Sequence, residues 1–180
     1  MISWWGFKDK YYYPTRQFLK NVWLFRKELS NFYAWNYNLG LFRRSIELNR
    51  ECILDGNEVE SSRHKKIAKM ERAIYLLKRF EEDDFIELAE QELGYGMNHG
   101  NIWFEPCEDK VGFSTMKDDL TQEEKDINSK LIYKSRDIQN ELWKELWSII
   151  HGQDYSTFKS NDQMGWDEQF DGSGLLGWWD

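Results

Sequence analysis

Cysteine and histidine are scarce in this chain, with two Cys and three His in 180 residues. Cys52 and Cys107 lie far apart without C-x-x-C spacing, which argues against a zinc ribbon or redox pair and for two reduced thiols. His64, His99 and His151 form no H-E-x-x-H or other close set, so a zinc site would have to be assembled wholly by the fold. Long apolar runs are missing as well. Nothing approaches the roughly eighteen residues of a membrane helix, and the opening Met-Ile-Ser-Trp-Trp-Gly-Phe-Lys-Asp is interrupted before a signal-peptide apolar region can form. No glycine-rich loop precedes a helix and no G-x-S-x-G elbow is present; Asp171-Gly-Ser-Gly174 reads as a turn.

What the chain has instead is aromatic rings. Ten Trp, nine Tyr and eleven Phe make up 17% of it, and each buried ring removes a large apolar area from water while freezing few rotatable bonds. A core built this way needs no disulfide or metal staple at this length, and a single globular domain over residues 1–180 is the expectation. Charge is unevenly divided. Residues 1–50 carry nine Lys and Arg against three Asp and Glu, whereas the remainder is acidic enough to bring the whole chain to −8. Either the two parts satisfy one another within the fold, or the basic part faces an anion. The overall acidity argues against duplex nucleic acid as a partner, since that binding rests on neutralising many phosphates.

The periodicity predicts an all-α domain of about five helices. An aromatic arm over 1–14 leads to Pro14 and Thr15, which read as a helix start. The first helix, about 15–35, is apolar over so much of its circumference (Phe18, Val22, Phe25, Leu29 and Phe32, widened by Leu19, Trp23, Leu24 and Tyr33) that it is expected to be central or covered on both sides. The second, about 38–55, presents Leu39, Phe42, Ile46 and Ile53 inward and Arg43, Arg44 and Arg50 outward, and ends at Gly56 as a left-handed cap. Ser61 or Ser62 caps a third, about 61–82, with Ile67, Met70, Ile74 and Leu77 as its core stripe. Asp84 and Glu87 form a capping box for a short fourth helix ending at Leu93 and Gly94. A loop over 94–119 has room for a small β-hairpin at about 101–116. Thr121 and Glu124 box the longest helix, about 121–151, along Ile127, Leu131, Ile138, Leu142 and Ile149, and Gly152 stops it. The tail, 153–180, carries six large rings and is expected to pack back onto the helices.

Two constellations could carry chemistry. Carboxylates at Glu47, Glu51, Glu81 and Asp84 are loosely similar to the magnesium-holding acidic pairs of MazG-like all-α nucleotide pyrophosphatases, where a hard cation and a triphosphate both demand oxygen ligands. The first pair is spaced by four rather than three, however, and solvated charge is the simpler reading. The second constellation is basic and aromatic. Lys20, Arg26, Lys27, Arg43, Arg44 and Arg50 alternate with Trp23, Phe25, Tyr33, Trp35 and Tyr37, and a ring beside a guanidinium can hold a nucleobase and its phosphate. The simpler reading is a core of rings with arginine heads reaching solvent. The candidate ligand-binding set is Arg26, Trp35, Tyr37, Arg43, Arg44 and Arg50.

Several segments carry a resemblance: Trp-Leu-Phe-Arg (23–26), Ala-Trp-Asn-Tyr (34–37), the run His-Lys-Lys-Ile-Ala-Lys-Met-Glu-Arg-Ala-Ile-Tyr (64–75) continuing to Phe85, Leu-Trp-Lys-Glu-Leu-Trp (142–147), and the closing Gly-Trp-Trp-Asp (177–180). Together they resemble a group of small Trp-rich proteins of tailed bacteriophages that end in Gly-Trp-Trp-Asp. No activity comes with the group, so no catalytic residue and no cofactor is carried over; magnesium enters only with the pyrophosphatase reading. Asn36 stands where members usually have Asp, which puts any acidic role there in doubt. The resemblance implies a viral protein acting in the host bacterial cytoplasm. It also implies a non-enzymatic accessory role of the counter-defence type, sequestering a host protein or a nucleotide-type signalling ligand. The further alternative is a structural or assembly protein whose surplus rings form a homo-oligomer interface.

Overall fold

The computed structural model describes residues 8–30, 37–56, 59–107, 112–159 and 162–178. Those residues form seven α-helices and one two-stranded hairpin. In chain order they are α1 (Tyr13–Leu24), α2 (Arg26–Ser30), α3 (Tyr37–Asp55), α4 (Glu60–Glu82), α5 (Phe85–Leu93), β1 (Ile102–Pro106), β2 (Ser114–Asp118), α6 (Gln122–His151) and α7 (Gln163–Gln169). A π-helical turn, Lys8–Tyr12, precedes α1, and short 3-10 turns follow at Tyr155–Thr157 and Leu175–Trp178. The fold is all-α with a small hairpin, as the periodicity predicts. Contacts gather the chain into two compact units, one made of Met1–Glu82 with Leu146–Asp180 and the other of Asp83–Glu145.

In the first unit α3 and α4 pack as an antiparallel pair. Ile46 and Ile53 of α3 are buried, as are Met70, Ala73, Ile74, Leu76, Leu77 and Phe80 of α4, Leu146 and Ile149 at the end of α6, and Phe170 and Trp178 of the tail. The tail therefore wraps back as expected, and its two deepest rings supply core that the first helix was expected to fill. That helix is where the structure departs most from the sequence pattern. Among the described residues helical structure is already present at Lys8, ahead of the expected Thr15, and neither α1 nor α2 contains a buried residue. Phe32, Tyr33, Trp35 and Asn36, like Trp4, Trp5 and Phe7 of the expected arm, lie outside the described residues.

The tail is held by backbone chemistry as much as by apolar burial. The Lys65 ammonium donates to the carbonyl oxygens of Asp167 and Phe170, at 2.6 and 2.7 Å. These lie at the carboxyl end of α7, where a cation meets unpaired carbonyls and the negative pole of the helix. Lys69 pairs with Asp171 at 3.1 Å, and the Gly174 amide donates to the Ile149 carbonyl at 2.8 Å. The expected Asp-Gly-Ser turn is present: the Ser173 amide and hydroxyl both donate to Asp171 Oδ1.

In the second unit Phe85 and Ala89 of α5, and Leu131, Ser135 and Ile138 of α6, are buried. The hairpin pairs Ile102 with Asp118 through Pro106 with Ser114, slightly longer than expected, and both strands are largely solvent-facing. At the start of α6 the Thr121 and Glu124 box is formed reciprocally, with the Thr121 amide donating to Glu124 Oε2 at 2.8 Å and the Glu124 amide to Thr121 Oγ1 at 3.3 Å.

Three expected caps take another form. Asp84 makes no side-chain cap bond to α5, because its backbone (φ −90°, ψ 27°) is not the extended N-cap conformation that aims an Asp oxygen at the N3 amide. Gly56 is not left-handed, whereas Gly94 and Gly152 are, at φ 77° and 78°. Ser61 and Ser62 sit inside the first turn of α4, which begins at Glu60; Ser62 bonds back to the Val59 carbonyl and Ser61 reaches Asp167.

Candidate functional site

The basic side chains of α3 do not point outward as a solvent face, contrary to the sequence pattern. The antiparallel register sets Arg43 against Glu81 and Arg50 against Glu71 of α4. Arg43 donates through Nε to Glu81 Oε1 at 2.5 Å and through Nη2 to Glu81 Oε2 at 3.2 Å, a fork-on-carboxylate pair, while Nη1 reaches Glu47 at 2.5 Å. Arg44 donates to the other Glu47 oxygen at 3.0 Å and lies 3.9 Å from Glu51. The Glu81 hydrogen bond does most to hold the Arg43 guanidinium well above its ordinary pKa; burial opposes it and Glu47 adds to it. For Glu47 burial works to raise the pKa, but the hydrogen bonds and charge of Arg44 and Arg43 together outweigh it and leave the carboxyl below its usual value of 4.5.

The carboxylates of the pyrophosphatase reading are placed accordingly. Glu47 and Glu81 meet on the Arg43 guanidinium and Glu51 sits near Arg44, while Asp84 belongs to the other compact unit. Among the described residues no group of three or more His, Cys, Asp or Glu is arranged to hold a metal ion. A cation entering here would have to compete with guanidinium groups already paired to the same oxygens.

Of the ligand-binding candidates, Arg26, Arg43 and Arg44 come together. They line a cleft of about 400 Å³ between α1–α2 and α3, with Trp23, Leu24, Lys27, Glu28 and Glu47. The volume falls within the roughly 300–1,000 Å³ of small-molecule sites. The Arg26 guanidinium lies 4.4 Å from the centre of the Trp23 ring and donates to the Trp23 carbonyl at 2.8 Å. Trp23 nevertheless remains 62% exposed. Four cationic side chains line the cleft against two acidic ones, but Arg43 and Arg44 are also held against Glu81 and Glu51, so the side of the cleft that favours an anion is that of Arg26 and Lys27.

Arg50 stands about 10 Å further along α3, given 1.5 Å per residue, and is occupied by Glu71. Tyr37 is half-buried at the start of α3 and lines no part of the cleft; Trp35 is outside the described residues. Sequence reasoning missed the role of Glu28 and Leu24. A usable signal was Gly40, a glycine inside a helix where it costs about 1 kcal/mol relative to Ala. A Cβ there would sit 3.8 Å from Glu28 Cγ and 3.7 Å from Glu81 Oε2, so Gly40 marks the place where α2 and α4 both approach α3.

The lowered carboxyls give a pH signature. Asp171 also lies below its ordinary 3.8, since hydrogen bonds from Ser173 and the nearby Lys69 outweigh the raising effect of burial. A depressed folded-state pKa contributes stability that is fully present above the unfolded value, near pH 4, and is lost as pH falls through the folded value. The thermal midpoint is therefore expected to be flat from about pH 5 to 7 and to fall below about pH 4. Scanning calorimetry across that range should show a shallower acid limb in Glu47→Gln than in the wild type; an identical limb would remove Glu47 from the account.

No helix among the described residues is long and apolar enough to cross a membrane. No family model matches the chain, and no curated protein or solved structure matches it.

Proposed function

We propose that the protein acts by binding rather than by turnover, and that the cleft between α1–α2 and α3 takes a small anionic ligand of the nucleotide type. The observation that carries this reading is the juxtaposition in one cleft of an exposed ring, Trp23, with Arg26, Lys27 and Arg44. A base stacks on the ring while its phosphate meets the cations, each part too weak alone to hold a ligand from water. Arg43 serves as the floor, fixed by two carboxylates and unable to swing away. With the phage resemblance, the cellular role that fits is an accessory protein in the host cytoplasm that withdraws a signalling nucleotide.

The test is titration calorimetry and Trp fluorescence against a panel of mono-, di- and cyclic nucleotides, with the ligand recovered and weighed afterwards. Saturable binding with intact recovered ligand is expected. Base stacking is worth about 1–3 kcal/mol, so Trp23→Ala should weaken binding by roughly tenfold or more. Arg44→Ala should do the same, while Arg16→Ala, outside the cleft, should leave it unchanged. Absence of binding at millimolar nucleotide would sink the reading, and hydrolysed ligand would redirect it to an enzyme.

A further inference from the structure

The charges around the cleft fall into two groups. Arg43 and Arg44 both meet Glu47, and two further carboxylates close the set, Glu81 at 2.5 Å from Arg43 and Glu51 at 3.9 Å from Arg44. Two guanidinium groups thus face three carboxylates, and this group brings no surplus positive charge to a ligand. The second group is Arg26, Lys27 and Glu28 of α2, which wall the same cleft. None of these three side chains forms an ion pair among the described residues. Arg26 rests instead on the ring and carbonyl of Trp23. Glu28 is half-buried, and its Cγ lies 3.8 Å from where a Cβ on Gly40 would stand, so its stem is set against α3 and its carboxylate is held in the cleft. Two unmatched cations against one unmatched carboxylate leave a single positive charge.

We propose that the cleft takes a nucleoside phosphodiester carrying one negative charge, and that Glu28 is the residue that discriminates against phosphate esters of higher charge. This rests on the nucleotide reading of the cleft and adds the charge state of the ligand. One ring, Trp23, is exposed for stacking and one positive charge is unmatched, so the site satisfies one base and one phosphate of unit charge. A phosphodiester has that charge at neutral pH. A terminal phosphate ester carries about −1.5 to −2 at pH 7, and every further phosphate in a chain adds to it. Charge beyond the first stands beside Glu28, Glu47 and Glu51 with no free cation to meet it. Like charges about 6 Å apart in water repel enough to weaken binding roughly threefold for each added unit. The selection is therefore graded by ligand charge, and the carboxylate without a cation of its own sets the gradient.

Titration calorimetry on the full chain tests this, in a chelator so that no divalent cation masks phosphate charge. The probes are nucleoside 3′,5′-cyclic monophosphates, dinucleoside monophosphates, and nucleoside 5′-mono- and triphosphates. The first two share the singly charged phosphodiester, one as a free small molecule and the other as a link of a strand, and the tighter of them identifies the source. That phosphodiester is expected to bind at least fivefold more tightly than the triphosphate. Glu28→Gln keeps the shape of the side chain and removes its charge. It should raise triphosphate affinity about tenfold or more and phosphodiester affinity only about threefold, a charge-graded response that a merely structural role would not produce. A wild type that binds the triphosphate most tightly overturns the proposal whatever the variant does, and so does a Glu28→Gln effect equal for all ligands; in both cases the nucleotide reading of the cleft stands. If no nucleotide binds at millimolar concentration, that reading falls and this inference falls with it.

Discussion

Gly172→Ala is expected to lower stability by roughly 2–5 kcal/mol. Two penalties combine. Gly172 has φ +86°, a left-handed backbone that costs an ordinary L-residue about 1–2 kcal/mol. A Cβ at this position would also stand 2.2 Å from the carbonyl carbon and oxygen of Lys65 and 2.6 Å from the Lys66 amide nitrogen. Those atoms belong to the backbone of α4 and cannot turn aside as a flexible side chain would, and overpacking of this kind typically costs about 1–3 kcal/mol more. The chain will adopt the cheaper of two responses, straining α4 or releasing the tail. Release loses the burial of Phe170 and Trp178 and the Lys65 contacts, so neither route is mild.

Gly94→Ala isolates the backbone term. Gly94 has φ +77° but nothing within 4 Å of a built Cβ, so its cost should stay near 1 kcal/mol. Thermal unfolding followed by Trp fluorescence measures both. With a shift of roughly 2–4 °C per kcal/mol at this size, Gly172→Ala should lose about 10 °C and Gly94→Ala about 3 °C. Limited proteolysis distinguishes the two responses, since tail release exposes the segment after Gly152. Equal losses in the two variants would show that the approach of tail to α4 is not as tight as the geometry states.

The contrast between these glycines also shows how far the sequence could be read. Helix positions follow from periodicity because burial imposes it. Of the expected stripe Met70, Ile74 and Leu77 are buried and Ile67 is half-buried; of the expected seam Leu131, Ile138 and Ile149 are buried, while Ile127 and Leu142 are half-buried. Capping is less legible, because a cap depends on the conformation of the residue before the helix. Thr121 and Glu124 close a box, but Asp84, entered from the left-handed Asp83 (φ 52°), does not. The site was legible as composition and opaque as geometry. That arginines and rings alternate along 20–50 is plain from the letters. That Arg43 is spent on Glu81 and Arg50 on Glu71 depends on the register of α3 on α4, which no local pattern encodes. The width of the apolar face on the first helix was read as a mark of centrality. The same pattern serves equally a helix whose partner lies in another molecule, and apolar periodicity does not distinguish the two.

Trp178→Ala is the companion experiment, because it asks whether the tail is a structural element or an ornament. Trp178 is 1% exposed, although it lies only two residues from the end of the chain. Its indole nitrogen donates to the Gly172 carbonyl at 2.8 Å, and its own carbonyl accepts from Asn49 Nδ2 of α3 at 2.5 Å. The ring thus closes the turn that Gly172 opens and ties it to the α3–α4 pair. Replacing a buried Trp by Ala removes the apolar burial and leaves a cavity, about 3–5 kcal/mol together, and it also orphans a carbonyl held inside that turn. Trp178→Phe keeps most of the volume and loses only the hydrogen bond, so about 1–2 kcal/mol is expected. Trp147→Ala, on the exposed side of α6 at 61% exposure, should stay within about 0.5 kcal/mol of the wild type. Denaturant midpoints for the three variants should therefore fall in the order Trp147→Ala, Trp178→Phe, Trp178→Ala, from most to least stable. If Trp178→Ala unfolds with the wild type, the closing residues do not share in the core, and the burial of Phe170 alone must account for the docking of the tail.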